Sequence, residues 1–263
     1  AITGTWIISE KQQLRASWSN TLSRPDFREL SPAPFTDPIS NAETVGNPNL
    51  VQTYIANYDV RWEYYFSPKE NFSTGFFWKD MTNPIEKVFV PGTGGLLTYQ
   101  NAEAATIYGI ELELLKNLDF ILPELEYFFA GSNYTWSESS VVLTAENLLA
   151  QTSSSRPLEG HSPHVVNVQF GYDNPEWGTQ ATLLYNMAAE RIVEAGLLGA
   201  PDKYQQPFNQ LDFVYRQKLS DWFAFDIRMK NLLDDSAVIK QGNEITRSYK
   251  PGREYNLGFT VNF

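Results

Sequence analysis

Hydrophobic and polar residues alternate along most of this chain. In NYDVRWEYYF (57–66), Tyr58, Val60, Trp62, Tyr64 and Phe66 share one parity, while Asn57, Asp59, Arg61 and Glu63 share the other. In YGIELEL, Tyr108, Ile110, Leu112 and Leu114 oppose Gly109, Glu111 and Glu113. The pattern recurs in QLDFVYRQKL, where Leu211, Phe213 and Tyr215 oppose Asp212, Arg216 and Lys218. In WFAFDIRMK, Phe223, Phe225, Ile227 and Met229 oppose Ala224, Asp226, Arg228 and Lys230. It also fills the closing EYNLGFTVNF, with Tyr255, Leu257, Phe259, Val261 and Phe263 on one parity. Successive side chains of a strand point to opposite faces, so period two means strands with one face in an apolar medium and the other wet.

Such segments predict about eleven strands, many of the roughly ten residues that a tilted membrane strand needs. They lie near 1–8, 12–22, 51–66, 71–81, 103–115, 124–138, 163–173, 178–193, 208–219, 222–234 and 250–263. Short links (SEKQ, SPKEN, 116–123, DNPEWG, LSD) alternate with long ones rich in Pro, Gly, Ser and Asn, at 23–50, 82–102, 139–162, 194–207 and 235–249. Short turns on one rim and long loops on the other describe an all-β, antiparallel, up-and-down transmembrane barrel with periplasmic turns and extracellular loops. A soluble β-sandwich also alternates. The barrel is favoured because the apolar faces are aromatic, with Trp18, Trp62, Trp78, Trp136, Trp177 and Trp222 often near strand ends, as in an interfacial girdle. The polar faces carry full charges of both signs, which suits a wet lumen.

Composition is consistent with this. No apolar run approaches the roughly 18 residues of a membrane helix, and a mean hydropathy of -0.35 suits alternating strands. The net charge of -11 over 263 residues argues against a nucleic-acid partner, which would require Lys/Arg patches. There is no cysteine, so neither disulfide nor thiol chemistry. The opening AITGTWIISE reads as a strand rather than as a signal peptide.

Enzymatic chemistry finds little support. His161 and His164 stand three apart in HSPH, but Ser-Pro between them places the pair at a strand entrance, with only Glu159 as a nearby acid. No G-x-S-x-G elbow occurs, and PGTGGLLT (91–98) lacks the Lys-Ser/Thr ending of a phosphate loop. Neither a catalytic residue, a metal site nor a cofactor is expected. Gly109, on the lumen parity, is expected to admit close approach by something inside the barrel.

Ten motifs follow one another along the chain: SRPDF (23–27), GNPNL (46–50) leading into NYDVRWEYYFSP, FFWKDMTNPIE (76–86), NAEAATIYGIELEL (101–114), NYTWS (133–137), PLEGHSPHVVN (157–167), YNMAAERI (185–192), LDFVYRQKL (211–219), KNLLDD (230–235) and YKPGREYNLGF (249–259). In this order they resemble the C-terminal part of TonB-dependent outer-membrane receptors. The resemblance implies a barrel of about 22 strands with a plugged lumen, of which residues 1–263 would be the last eleven or so. The plug and the TonB-contacting segment would lie upstream of residue 1. It implies TonB-dependent uptake of a scarce, bulky nutrient (a ferric siderophore, haem, cobalamin, a glycan or a peptide) across the outer membrane of a Gram-negative bacterium. Implied partners are outer-membrane lipid, TonB through the upstream parts, and the nutrient itself. The C-terminal strand, with Tyr255, Leu257, Phe259, Val261 and Phe263, resembles the signal read by the barrel-assembly machinery. A passive porin and a soluble carbohydrate-binding sandwich are the alternatives.

Within this frame the inner wall carries Arg15, Arg61, Lys79, Arg216, Lys218, Arg228 and Lys230 among seven carboxylates, which reads as a ladder of cross-strand ion pairs. Ligand contacts fall to the long loops. The candidates are Arg24, Asp26, Phe27 and Arg28 in the first, Asp202, Lys203 and Tyr204 in the fourth, and Lys240, Arg247 and Tyr249 in the fifth.

Overall fold

The computed structural model describes residues 1–36, 43–90, 96–144, 151–153, 155–196 and 199–262. From the N-terminus its elements are β1 (Ile2–Ser9), β2 (Gln12–Ser23), the one-turn helix α1 (Phe27–Leu30), β3 (Phe35–Thr36), β4 (Glu43–Thr44), β5 (Thr53–Ser67), β6 (Glu70–Thr82), β7 (Ile85–Phe89), β8 (Leu97–Asn101) and β9 (Ala104–Asn117). After a 3₁₀ turn at Pro123–Leu125 come β10 (Phe128–Val142), β11 (Ser155–Arg156), β12 (His164–Asn174), β13 (Thr179–Ala188) and β14 (Arg191–Glu194). The rest are β15 (Lys203–Gln205), β16 (Phe208–Lys218), β17 (Phe223–Lys230), β18 (Ala237–Gln241), β19 (Glu244–Tyr249) and β20 (Glu254–Val261).

Eleven strands form one antiparallel meander in the order β1-β2-β5-β6-β9-β10-β12-β13-β16-β17-β20, with β11 added at the end of β10. These are the eleven expected strands, and each neighbours the next long strand along the chain. The sheet is open: among the described residues β1 pairs only with β2, and β20 only with β17. Register carries the parity across the whole sheet. Trp18, Tyr58, Trp78 and Tyr108 sit side by side on one face, and Phe170, Leu183, Phe213, Met229 and Tyr255 do so further along. A sandwich would cover that face with a second sheet. Here it is bare: Val60 is 45% exposed, Ile110 41% and Phe259 64%. Tyr58 and Leu112 are exposed too, while Trp62, Phe213 and Phe225 on the same face are half-buried. Trp62 packs edge-on against Phe72, and Phe225 lies tilted against Tyr215.

The opposite face is polar and ion-paired. Arg61 spans Glu63 (2.9 Å) and Glu113 (2.5 Å), Arg228 meets Asp226 at 3.1 Å, and Lys230 meets Glu254 at 3.5 Å. Toward the middle strands the wall turns neutral: register aligns Asn133, Asn167, Asn186 and Gln210 in one row beyond Glu113.

Several expectations need correction. The long links are not plain loops. They carry two four-stranded sheets, β14-β15-β18-β19 and β3-β4-β8-β7, and within the second β4 runs parallel to β8. Neighbours in sequence do not always pair there, because these strands come from different loops. The segment expected as one strand over 178–193 breaks at Ala189 and Glu190, and its end becomes β14. Lys250–Arg253 stays outside the last strand, since Pro251 has no N–H to donate and Gly252 adopts φ 82°. At Gly109 the close neighbour is the wall itself: an added Cβ would come within 2.8 Å of the Phe77 ring and 2.3 Å of the Trp136 carbonyl oxygen. Phe263 and residues 91–95 of PGTGGLLT lie outside the described residues.

The buried apolar cluster lies at the long-loop rim. Ala102, Ala105, Val141, Leu143 and Leu158 pack together with Met81 and Ile107. Met81, Ala105, Ile107 and Val141 are on the inner parity, so Leu143 and Leu158 fold their loop inward over the mouth of the curved sheet.

Candidate functional site

The loop of 143–163 is pinned to the inner wall by His161. Its Nε2 lies 2.8 Å from Ser137 Oγ and its Nδ1 2.9 Å from Ser139 Oγ, and Ser139 Oγ also accepts from the Leu158 N–H at 3.0 Å. Burial lowers the His161 pKa, which favours the neutral ring, one nitrogen accepting and the other donating. His164 instead begins β12 on the outward face beside Tyr134, whose hydroxyl lies 2.9 Å from its Nδ1. The two histidines therefore look to opposite sides of the sheet.

Each long loop is hydrogen-bonded to the next. Val45 N–H donates to Leu97 O at 2.9 Å and the Asn47 amide to Tyr99 O at 3.0 Å, joining the first loop to the second. The second meets the third through Arg156 Nη2 and Glu86 Oε2, 2.7 Å apart, with both side chains under 5% exposed. Arg156 also donates to Pro157 O (3.1 Å) and Gln151 Oε1 (3.3 Å). Thr152 N–H donates to Gly196 O at 2.9 Å and Gly160 N–H to Ile192 O at 2.7 Å, joining the third to the fourth. The fourth and fifth share the β15–β18 ladder.

Where four of these loops converge lies a basin of about 440 Å³. Glu29 enters it from α1, Glu86 and Lys87 from β7, Tyr99 from β8, Glu159 from the loop before β12, and Arg191 from β14. The Lys87 ammonium sits 6.0 Å from the Tyr99 ring centre, and Arg191 donates twice to Gln205 Oε1, at 2.9 and 3.2 Å. Burial, then the nearby Glu86, pushes the Glu159 carboxyl up to about 8. Burial also raises Glu86, against the pull of Arg156, and raises Tyr99. Near neutral pH Glu159 is thus mostly protonated, and Glu86 and Arg156 cancel. Lys87 and Arg191 face a single carboxylate, Glu29, so the basin is mildly cationic within an acidic chain.

The expected contact residues divide into three groups. Asp26 caps α1, accepting from Arg28 N–H at 3.1 Å while Glu29 accepts from Asp26 N–H at 2.8 Å, a reciprocal capping box. Arg28 lies over the Phe35 ring at 5.6 Å, Phe27 is 91% exposed, and Arg24 lies outside the basin. Asp202 is buried and accepts from Gly196 N–H at 2.6 Å, a loop fastener. Lys203, Tyr204, Lys240, Arg247 and Tyr249 are brought together on the β14-β15-β18-β19 sheet, where Tyr204 pairs with Lys240 and Lys203 is bonded to Glu194. None of the ten lines the basin. Sequence reasoning missed Glu86, Lys87, Glu159 and Arg191 because each stands alone in its own loop; the alternation of IEKVF was the one local signal.

Comparison with known proteins fits this geometry. No curated protein matches the chain. Among solved structures, the copper transporter OprC superimposes with a TM-score of 0.69 at 15% identity over 99% of this chain and 39% of that one. A point mutant of the ferric enterobactin receptor PfeA from Pseudomonas aeruginosa gives 0.66 at 14%, over 99% and 39%. The siderophore receptor PirA from the same organism gives 0.64 at 18%, over 99% and 41%. The chain thus spans about two fifths of the length of these structures, and the likeness at such identities is one of fold. A family model described as "TonB dependent receptor-like, beta-barrel" matches residues 2–233, and the chain belongs to that family of β-barrel receptors.

Proposed function

We propose that residues 1–263 are the C-terminal barrel portion of an outer-membrane receptor for TonB-dependent uptake of a scarce nutrient. The basin over the barrel mouth is where the nutrient is first held. The observation that carries this reading is the stitching of the five long loops into a polar basin above the lumen of a receptor-family barrel. A barrel with free loops would suit diffusion; loops tied to each other and folded inward over the wall suit capture before passage. Family and fold point to receptors and transporters rather than enzymes. The alternating short and long links favour the long-loop rim as the outer one.

The basin's chemistry favours a ligand with anionic or hydroxyl-rich edges, met by Lys87, Arg191 and the Tyr99 hydroxyl. Ferric siderophores fall in that class, and the printed ligand of one structural neighbour, enterobactin, belongs to it. The copper transporter among the neighbours keeps a metal cargo open.

The test is a titration of the full-length receptor in detergent, followed by tryptophan fluorescence, with ferric catecholate, ferric hydroxamate, haem, cobalamin and copper in turn. One should quench saturably, and Lys87→Ala with Arg191→Ala should weaken it about tenfold, the loss of one charge-assisted contact. The same ligand should support growth only in cells with functional TonB. Binding unchanged in the double variant would remove the basin from the mechanism, and growth without TonB would favour a porin.

A further inference from the structure

A second cavity opens on the outside of the barrel, away from the lumen. Tyr54 stands on the outward parity of β5, and Gln52 continues that parity beyond the strand. With Arg24, Pro25, Leu30 and Val51 they line a hollow of about 590 Å³. Tyr54 lies four residues past Tyr58, whose row of Trp18, Trp78 and Tyr108 forms an aromatic belt on the same face. At about 3.3 Å per residue and a strand tilt of about 40°, the hollow stands about 10 Å beyond that belt along the membrane normal. Interfacial Trp and Tyr mark the edge of the hydrocarbon, so this height is that of the lipid headgroups.

The lining has two chemistries. Pro25, Leu30 and Val51 are apolar, while the Gln52 amide donates to the Tyr54 hydroxyl and leaves its carbonyl free for a further donor. Val51 and Tyr54 are 50% and 54% exposed, so the protein leaves the hollow open. Arg24 is the only cation of the lining. The nearest acids in sequence, Asp26 and Glu29, are engaged in the capping box of α1, and among the described residues the Arg24 guanidinium has no ion pair. An unpaired guanidinium at headgroup height, in a chain of net charge -11, is complementary to a phosphate held by the membrane rather than by the protein. The hollow is also continuous with the lipid-facing sheet surface through Leu22, the register partner of Tyr54.

We propose that this hollow binds the headgroup of a phosphorylated glycolipid of the outer leaflet. Arg24 forks onto a phosphate, Gln52 and Tyr54 meet sugar hydroxyls, and Pro25, Leu30 and Val51 seat the start of the acyl region. Arg24, grouped with the nutrient contacts by sequence, becomes a lipid contact that anchors the first long loop to the membrane. The assignment rests on the long-loop rim being the outer one.

The experiment uses the full-length receptor purified in mild detergent, with lipid A retained per protein counted by mass spectrometry. The stripped receptor is then titrated with lipid A or phosphatidylglycerol in nanodiscs. The wild type should keep lipid A, Arg24→Ala should lose about tenfold in affinity, the worth of a bidentate phosphate contact, and Gln52→Leu should lose less. Lys218→Ala on the opposite rim should change nothing, and heat-modifiable migration should show all variants folded. Equal retention by the Arg24→Ala and Gln52→Leu variants, or phosphatidylglycerol binding as tightly as lipid A, would overturn the assignment. A tag placed at Gly242 separates the two readings. If intact cells hide it, the orientation is wrong and the proposed uptake role falls with it. If it is reachable while lipid A binding ignores Arg24, only the lipid site falls.

Discussion

At Glu159 the loop fold holds a proton that an unfolded chain would release. Its carboxyl titrates at about 8 against an ordinary 4.5, so between those values the folded loops bind more protons than the unfolded ones. The stability Glu159 contributes is complete below about 4.5 and is lost as pH rises through about 8. Raising the pH from 5.5 to 8.5 should therefore speed proteolysis of the 143–163 loop, and Glu159→Gln should flatten that rise. His161 acts with the opposite sign: its lowered pKa contributes stability above the ordinary 6.5 that is lost as pH falls. On the membrane face, Ile110→Arg puts a charge in mid-membrane and should cost about 2–4 kcal/mol, read as a lower urea midpoint for folding into vesicles. Burial sets the Glu159 shift, and burial comes from other loops. The exposure of Ile110 to lipid, by contrast, was legible from parity within its own strand.

Among the elements, the decisive contact is the buried pair between β7 and β11. Arg156→Ala would strand the Glu86 carboxylate in the interior and should destabilise the loop cluster by about 3–5 kcal/mol. Hydrogen exchange on the full-length receptor should show this as faster exchange in 85–101 and 151–160 with the eleven long strands unchanged. Replacing both partners, Glu86→Leu with Arg156→Met, should restore most of the protection, since no unpaired charge remains. Equal exchange in wild type and Arg156→Ala would show that backbone stitching alone holds the loops. The long strands were readable because about ten residues of strict alternation leave few other solutions. β14 and β15, of four and three residues, carry too little pattern to be read alone, and β4 meets β8 across residues far apart in sequence.

For the whole molecule the open sheet is the controlling fact. The free sides of β1 and β20 leave a row of backbone N–H and C=O groups, and in lipid each unsatisfied group costs several kcal/mol. Further strands must close the curve, in line with the proposal that these residues are part of a larger barrel. Expressed alone, residues 1–263 should fail to give a heat-modifiable monomer in vesicles, whereas the longer chain should give one. A closed, heat-modifiable barrel from the short chain would sink that proposal.

By itself the sequence determined the strand number, the order of the meander, which face meets lipid and which rim carries the long loops. Each follows from period two and from the turn chemistry of Pro, Gly and Asn, which act over a few residues. Only the tertiary structure decided what the loops do. Glu29, Glu86, Lys87, Glu159 and Arg191 become neighbours because β-ladders and a buried ion pair draw separate loops together over the barrel mouth. It likewise decided that Asp26 and Asp202 serve the backbone rather than a ligand, since a carboxylate's role is set by the donors the fold brings to it.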